Sequence, residues 1–415
     1  FGLGCYLMAA PTLRVRFGFV PSVFTLNDAI RGTLSTSNVL GGAVTFTDVT
    51  SFVQSVSISR GRSRDLNSFS SGTAVINLEN SEDGRFNPAN ASGPYFPGIE
   101  PLIQVIIDCL VSGESSHTVL YTGFVTDWLT QYPNKTTSKV QVSCSDAFVK
   151  LANIEVDSLS ISSTDSGSMV SSILSNSQVA FSGTTSIDTG NSTMQTINKS
   201  TNALGLIQEI EKSENGAFFV GADGTLNFKN RHASFPTTST AVFSDDGSDV
   251  PYLEVNQPVD DDLIFNVINL KREGGSVQTA SDVASQSKYL KRYLERSNLL
   301  NSSDSDVASA ALFLLAKFKD ALPRFSSMVL NVDTLSSANQ LTVLGLELSA
   351  GIKIEITPPG ESSQISRESV IDGVSFAITP DDFIVRFNVS DAVNSAFFRL
   401  DSATYGQLSD DRLGY

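Results

Sequence analysis

Between Thr12 and about Val142 the chain is a succession of short stretches in which apolar and polar residues alternate. Among them are "TLRVRFGF", "SVSISR", "TAVINLEN", "LIQVIIDCLV", "TVLYTGFVTDWL" and "SKVQVSC". A period of two puts one side of each stretch in a core and the other in water, and clusters of Gly, Pro, Asn and Ser separate the stretches. The pattern predicts an antiparallel β domain. Its last segment, "SCSDAFVKLAN", changes period, with Asp146 placed to cap a short helix that carries Ala147, Phe148 and Leu151 on one side.

The pattern then loosens. Ser/Thr-rich linkers surround "SMVSSILSNS", where Met169, Val170, Ile173 and Leu174 fall at helical spacing, and Leu204, Ile207 and Ile210 repeat the stripe further on. Asn215-Gly216 is a helix stop, and "AFFV" and "TLNF" flank a "GADG" turn, so a helix followed by a hairpin is expected. Beyond the acidic "DDGSDV", the segments "DLIFNVINLKREGG", "SSMVLNVDT", "IKIEITPP", "ISRESVIDGVSFAIT" and "DFIVRFNVS" again look like strands. "SDSDVASAALFLLAKFKDALPRF" looks like a helix stopped by Pro323, its Leu312, Leu315 and Phe318 packed on that sheet. The polar "FFRLDSATYGQLSDDRLGY" is expected to extend along a neighbour. No clean short-period repeat points to a solenoid or propeller. The fold class expected is mainly β with an α/β insertion. Its parts are an arm over 1–11, a first β domain over 12–155, an intermediate α/β domain over 156–250, a second β domain over 251–395 and an extension over 396–415.

At 415 residues the chain has room for about two to four domains and a sizeable core. A net charge of −16 argues against non-specific binding to nucleic acid, which needs a basic face to displace counterions. No apolar run approaches the roughly 18 residues of a membrane-spanning helix, so no stable membrane insertion is expected. The opening "FGLGCYLMAA" lacks the basic start of a signal peptide, and Met8 is a candidate first residue. Cys5, Cys109 and Cys144 are too scattered for a disulfide framework or a zinc pair.

Signals for chemistry are weak. His117 and His232 lie outside any nucleophile-elbow or metalloprotease motif. The acid runs Asp260-Asp261-Asp262 and Asp381-Asp382 suit solvated turns better than a pair of glycosidase carboxyls, because adjacent residues point apart. "ENSEDGRFNP" offers Asn80, Glu82 and Asp83 as oxygen donors, yet lacks the spacing and closing Glu of a calcium loop. Its simpler reading is a turn in which Gly84 takes a positive φ. Nothing indicates an enzyme, a cofactor or a metal.

"SISRGRSRD" sets Arg60, Arg62 and Arg64 at alternate positions. On a strand these would form a basic row on one face, but Gly61 suggests a bulge or a strand end. With no aromatic residues between them they make no platform for stacked bases. Carboxylate partners, with Glu79, Glu82 and Asp83 as candidates, are expected instead.

Several of these segments, in this order, resemble hub-type minor tail proteins of long-tailed bacteriophages. The resemblance rests on "SISRGRSRD", "GTAVINLENSEDGRFNP", "LYTGFVTDW", "SCSDAFVKLAN", "NGAFFVGADGTLNFKNRH", "DDLIFNVINLKREGG" and "DGVSFAITPDDFIVRFNVS". One departure stands out: Tyr289 is followed by "LKRYLER", where the family pattern continues Y-G-x-R.

The resemblance implies a baseplate-hub-like fold with two tube-type β-barrel domains joined by an intermediate domain. It implies a homotrimer that forms a pseudo-hexameric ring at the virion's tail tip, adapting a sixfold tail tube to a threefold tip and lining the DNA-ejection channel. Implied partners are a distal tail protein or tail-tube ring, a tape-measure protein and a tail fibre or receptor-binding protein, with DNA passing through the lumen without specific binding. Arg60, Arg62, Arg64, Asp83, Arg85 and Phe86 would hold a domain or subunit junction and Trp128 would pack the barrel. Interior packing within one subunit is the plainer role for Phe86 and Trp128. A carbohydrate-binding or receptor-binding adhesin, and the spike hub of a contractile injection system, are the alternatives.

Overall fold

A computed structural model describes residues 9–19, 22–23, 38–39, 45–234, 239–258, 262–321, 323–361 and 363–392. Met8, the Asp260-Asp261 pair and the C-terminal segment lie outside them.

The first β region contributes strands β1 (Thr12–Phe19), β2 (Thr45–Asp48), β3 (Val53–Gly61), β4 (Ser70–Glu79), β5 (Gln104–Leu110), β6 (Thr118–Asn134) and β7 (Thr137–Ser145). Their alternation fixes register. Ala74, Ile76 and Leu78 of β4 lie opposite Cys144, Val142 and Val140 of β7, and all six are buried. A slip of one residue would turn every one of them to water.

Helices α1 (Phe148–Ala152), α2 (Ser166–Ser175) and α3 (Ala203–Glu214), with the hairpin of β8 (Ala217–Val220) and β9 (Leu226–Lys229), enclose a second core. As expected, Asn215 ends α3 in the left-handed conformation at φ 57° and β8 pairs antiparallel with β9, and Asp165 caps α2. Phe148 stacks on Phe218 at 5.0 Å between ring centres, joining α1 to the hairpin. Asp146 accepts a hydrogen bond from the backbone N–H of Phe148 at the start of α1.

Beyond the hairpin come strands β10 (Ala241–Ser244), β11 (Glu254–Asn256), β12 (Val267–Arg272), β13 (Val277–Ser281), β14 (Tyr293–Leu299), β15 (Ser327–Asn331), β16 (Gly351–Ile356), β17 (Ile365–Ile378) and β18 (Phe383–Asp391). Three helices accompany them: α4 (Val283–Tyr289), α5 (Asp304–Phe318) and α6 (Ser337–Leu344). The two β regions are not separate bodies. β3 pairs antiparallel with β17, setting Ile58 opposite Phe376 and Val56 opposite Ile378, so both regions belong to one 13-stranded sheet over one core. Among the described residues no ring of strands closes, and the expected pair of barrels is replaced by this shared sheet.

A third core lies apart, where α5 packs on the three-stranded sheet β13-β12-β14. α5 packs on β12, as expected, but within its own small sheet and not on the strands that follow it, and its inward stripe is Val307, Ala310, Ala311, Leu314 and the expected Leu315 and Phe318. Leu312 lies outside that stripe at 52% exposure. Only β12, of the expected "DLIFNVINLKREGG" strand, is extended, and the helix ends at Phe318, ahead of Pro323.

Leu314→Ala is therefore expected to lower the urea-unfolding free energy by about 2–5 kcal/mol, and Leu312→Ala to change it by less than about 0.5 kcal/mol. Equal costs would contradict this orientation of α5.

Candidate functional site

The three arginines do not form a row. Arg60 follows Val56 and Ile58 on the buried face of β3, and Gly61 then turns the chain at φ 95°. A β-carbon on Gly61 would sit 2.2 Å from the Asp372 carbonyl oxygen, so only glycine lets β3 approach β17 here. The turn over 62–69 that follows meets the first and third cores, and its Phe69 carbonyl accepts a hydrogen bond from Gln208 of α3 at 3.4 Å.

Arg60 donates to Glu347 Oε1 at 2.6 Å, and Glu347 Oε2 accepts the backbone N–H of Ala222 at 2.7 Å, tying β3 to the loop after α6 and to the β8–β9 hairpin. Arg62 donates from Nε and Nη2 to Asp372 Oδ1, at 3.0 and 2.8 Å. It also faces Asp65 at 3.3 Å and lies 4.8 Å above the ring of Phe69. Asp65 in turn holds Lys317 of α5 at 2.6 Å. Leu66 packs against the third core, Phe69 lies 5.4 Å from Phe219, and Arg296 of β14 donates to Asn215 at the end of α3 at 2.9 Å.

A cavity of about 60 Å³ sits at this meeting point, with Arg62, Asp65, Glu211, Arg296, Lys317 and Asp372 in its lining. Glu211 Oε2 and Asp372 Oδ2 are buried without a hydrogen-bond partner. Burial pushes the Glu211 carboxyl up to about 7, against the pull of the Phe218 amide and of Arg62. Burial also raises the Asp372 carboxyl despite Arg62, whereas for Asp65 the attraction of Lys317 and Arg62 overcomes burial and holds the group at about 2.

The other candidates fall elsewhere. Arg64 is exposed and meets Asp262 at 2.7 Å. Asp83 takes both Nε and Nη2 of Arg85, at 2.8 and 2.6 Å, around Gly84 at φ 60°, and the guanidinium rests 4.0 Å over Phe52. Phe86 is fully buried, gives its N–H to Asn80 Oδ1 at 2.9 Å and lies parallel to Trp128, with 6.5 Å between ring centres. The indole of Trp128 donates to the Glu100 carbonyl at 3.1 Å. Asp83, Arg85, Phe86 and Trp128 thus form a second cluster, inside the first β region.

The arginine partners differ from the acids expected, because Glu79 is taken by Gln54 and Ser81, and Asp83 by Arg85. Among the described residues no group of three His, Cys, Asp or Glu side chains is placed to hold a metal ion. Sequence reasoning missed Asp65, Glu211, Lys317, Glu347 and Asp372. The one signal available was the "IDGV" of β17, where an acid interrupts an apolar strand.

Beside the junction opens a cleft of about 720 Å³ whose lining includes Arg324, Lys353, Arg367 and Arg386. Asp391, also in that lining, lies 3.8 Å from Arg324, and burial pushes its carboxyl up to about 6.

Glu211 makes the junction sensitive to pH. A carboxyl that titrates near 7 when folded and near 4.5 when unfolded adds stability that is complete below pH 4.5 and lost as pH rises through 7. Glu211→Gln is expected to remove that loss: its Tm should gain on the wild type progressively from pH 4.5 to pH 7 and then run parallel. A Tm difference that stays constant over this range would contradict the assignment.

A scan against protein-family models and a search of curated proteins each find no match. Solved structures do match. The 43 kDa tail protein of prophage MuSo2 from Shewanella oneidensis superposes with a TM-score of 0.57 at 12% identity, covering 92% of this chain and 97% of that one. The tail protein from Neisseria meningitidis MC58 gives a TM-score of 0.57 at 10% identity, with the same coverage of 92% and 97%. The chain has the fold of these phage-type tail proteins across most of its length.

Proposed function

We propose that this chain is a structural protein of a phage tail, and that three copies form the hub at the distal end of the tail tube. The observation that carries the reading is the match of fold with two tail proteins over 92% of this chain and 97% of each of theirs. Fold alone does not assign a role, so the reading draws also on the features of this chain.

The best-organised buried polar cluster is an ion network that joins cores, which suits a scaffold. A net charge of −16 suits a wall past which DNA slides, because like charges repel and no counterions are released on contact. The cation-lined cleft in so acidic a chain gives each copy surfaces of opposite sign, and head-to-tail contact between unlike surfaces of identical copies generates rings. The β regions over 12–155 and 251–395 would be the two tube-type halves of each copy, and three copies would offer six such halves to a sixfold tube. A distal tail protein or tail-tube ring would sit on one side, a fibre or receptor-binding protein on the other, with the tape-measure protein and DNA in the lumen. Arg60 and Arg62 then act within one chain, holding the halves at a fixed angle.

Sedimentation equilibrium over a concentration series, followed by end-on electron micrographs, tests the reading. A trimer with an open central channel is expected. A monomer at every concentration, or glycan-cleaving activity abolished by an Asp or Glu substitution, would overturn it.

A further inference from the structure

Helix α4 and the residues after it connect β13 to β14, and Leu290 there adopts φ 63°, ψ 178°. That region of backbone space is open to glycine and strained for any residue with a β-carbon. Strain of this kind is ordinarily offset by packing, yet Leu290 is 78% exposed. The segment is held firmly from below. Asn266, wholly buried, donates from Nδ2 to the Leu290 carbonyl at 2.7 Å and to Ser285 Oγ at 3.1 Å, and its Oδ1 accepts the Arg292 N–H at 2.9 Å. Its own carbonyl takes the N–H of Asp282 at 3.1 Å. One buried side chain and its backbone thus gather residues 282, 290 and 292 at one end of the small sheet, and beside them Val283 and Tyr293 are 74% and 51% exposed. Lys288 and Lys291 flank the leucine, both exposed.

We propose that this knob, with Leu290 at its tip and Lys288 and Lys291 around it, is a contact point for a second copy of the same chain. The inference rests on the trimeric reading above and names a surface for it. Two observations select the occupant. An apolar tip gains from burial in protein and gains little against phosphates, so the exposed Leu290 and Val283 favour a protein partner over nucleic acid. The lysines call for an acidic partner, and with 44 acidic against 28 basic residues another copy of this chain is one. The strained backbone is then explained: it holds a side chain outward that serves no packing within its own chain.

Sedimentation velocity and thermal melting of the full chain, as wild type, Leu290→Gly and Lys291→Glu, test this. Glycine suits the φ of this position, so Leu290→Gly is expected to melt at or above the wild-type temperature while its self-association weakens about tenfold or more, the scale of losing one buried aliphatic side chain. Lys291→Glu should leave Tm unchanged and also weaken association, and the wild-type interaction should loosen with added salt. If the wild type assembles and both variants assemble equally well, the knob is not the contact, and the hub reading stands without it. A lower Tm for Leu290→Gly with association unchanged would make Leu290 a packing residue and overturn the proposal. Binding of a single-stranded oligonucleotide that Lys291→Glu abolishes, with association unchanged, would overturn it in favour of nucleic acid. A wild type that stays monomeric overturns both.

Discussion

A charge taken out of water must be met by an opposite charge inside the protein, and the turn after β3 is built on that requirement. Asp372, Arg62, Asp65 and Lys317 form a line of alternating sign, with each neighbouring pair in contact. Asp372 comes from the large sheet, Arg62 and Asp65 from the turn, and Lys317 from the helix of the third core. Glu211, from the second core, faces the same small cavity. Withdrawing the large sheet, the turn or α5 strands a buried charge, which typically costs about 3–5 kcal/mol, so the positions of the first and third cores are interdependent. Gly61 is a condition of this arrangement, because a β-carbon there would collide with the Asp372 carbonyl and hold the turn away from β17.

Legibility in the sequence followed the range of the interaction. Strands with alternating residues, the α2 and α3 stripes, the Asn215 helix stop and the β8–β9 hairpin depend on neighbours in the chain, and their periods and turn residues announce them. The arginine partners depend on residues far along the chain. Arg62 and Asp372 are 310 positions apart and Arg60 and Glu347 are 287 apart, and no local pattern encodes such pairings. Gly61 marks the strand break in the sequence, yet where that break sends each guanidinium depends on β17. Leu312 misled for a related reason: several apolar residues in α5 could have made the stripe, and only the sheet it covers selects among them. Tyr289-Leu290 was visible as a departure from the family pattern, and the positive φ of Leu290 gives that departure a structural meaning.

While Glu211 Oε2 and Asp372 Oδ2 stay buried without a partner, many polar groups of the candidate site meet one another: Asp83 with Arg85, Asp65 with Lys317 and Arg62, Glu347 with Arg60 and the Ala222 amide. Groups so engaged hold a scaffold rigid and are poorly placed to act on a substrate. The surface carries a cation-lined cleft and a basic, apolar-tipped knob in a chain of net charge −16, features that suit the structural role proposed above.

Calorimetric unfolding of the wild type beside Arg62→Ala tests the central claim most directly. If the buried line of charges couples the large sheet to the third core, the wild type unfolds in one cooperative transition and the variant, with Asp372 and Asp65 deprived of their shared cation, unfolds in separate steps. Two transitions already present in the wild type, or a single transition merely shifted in the variant, would show that the cores are held together by something else.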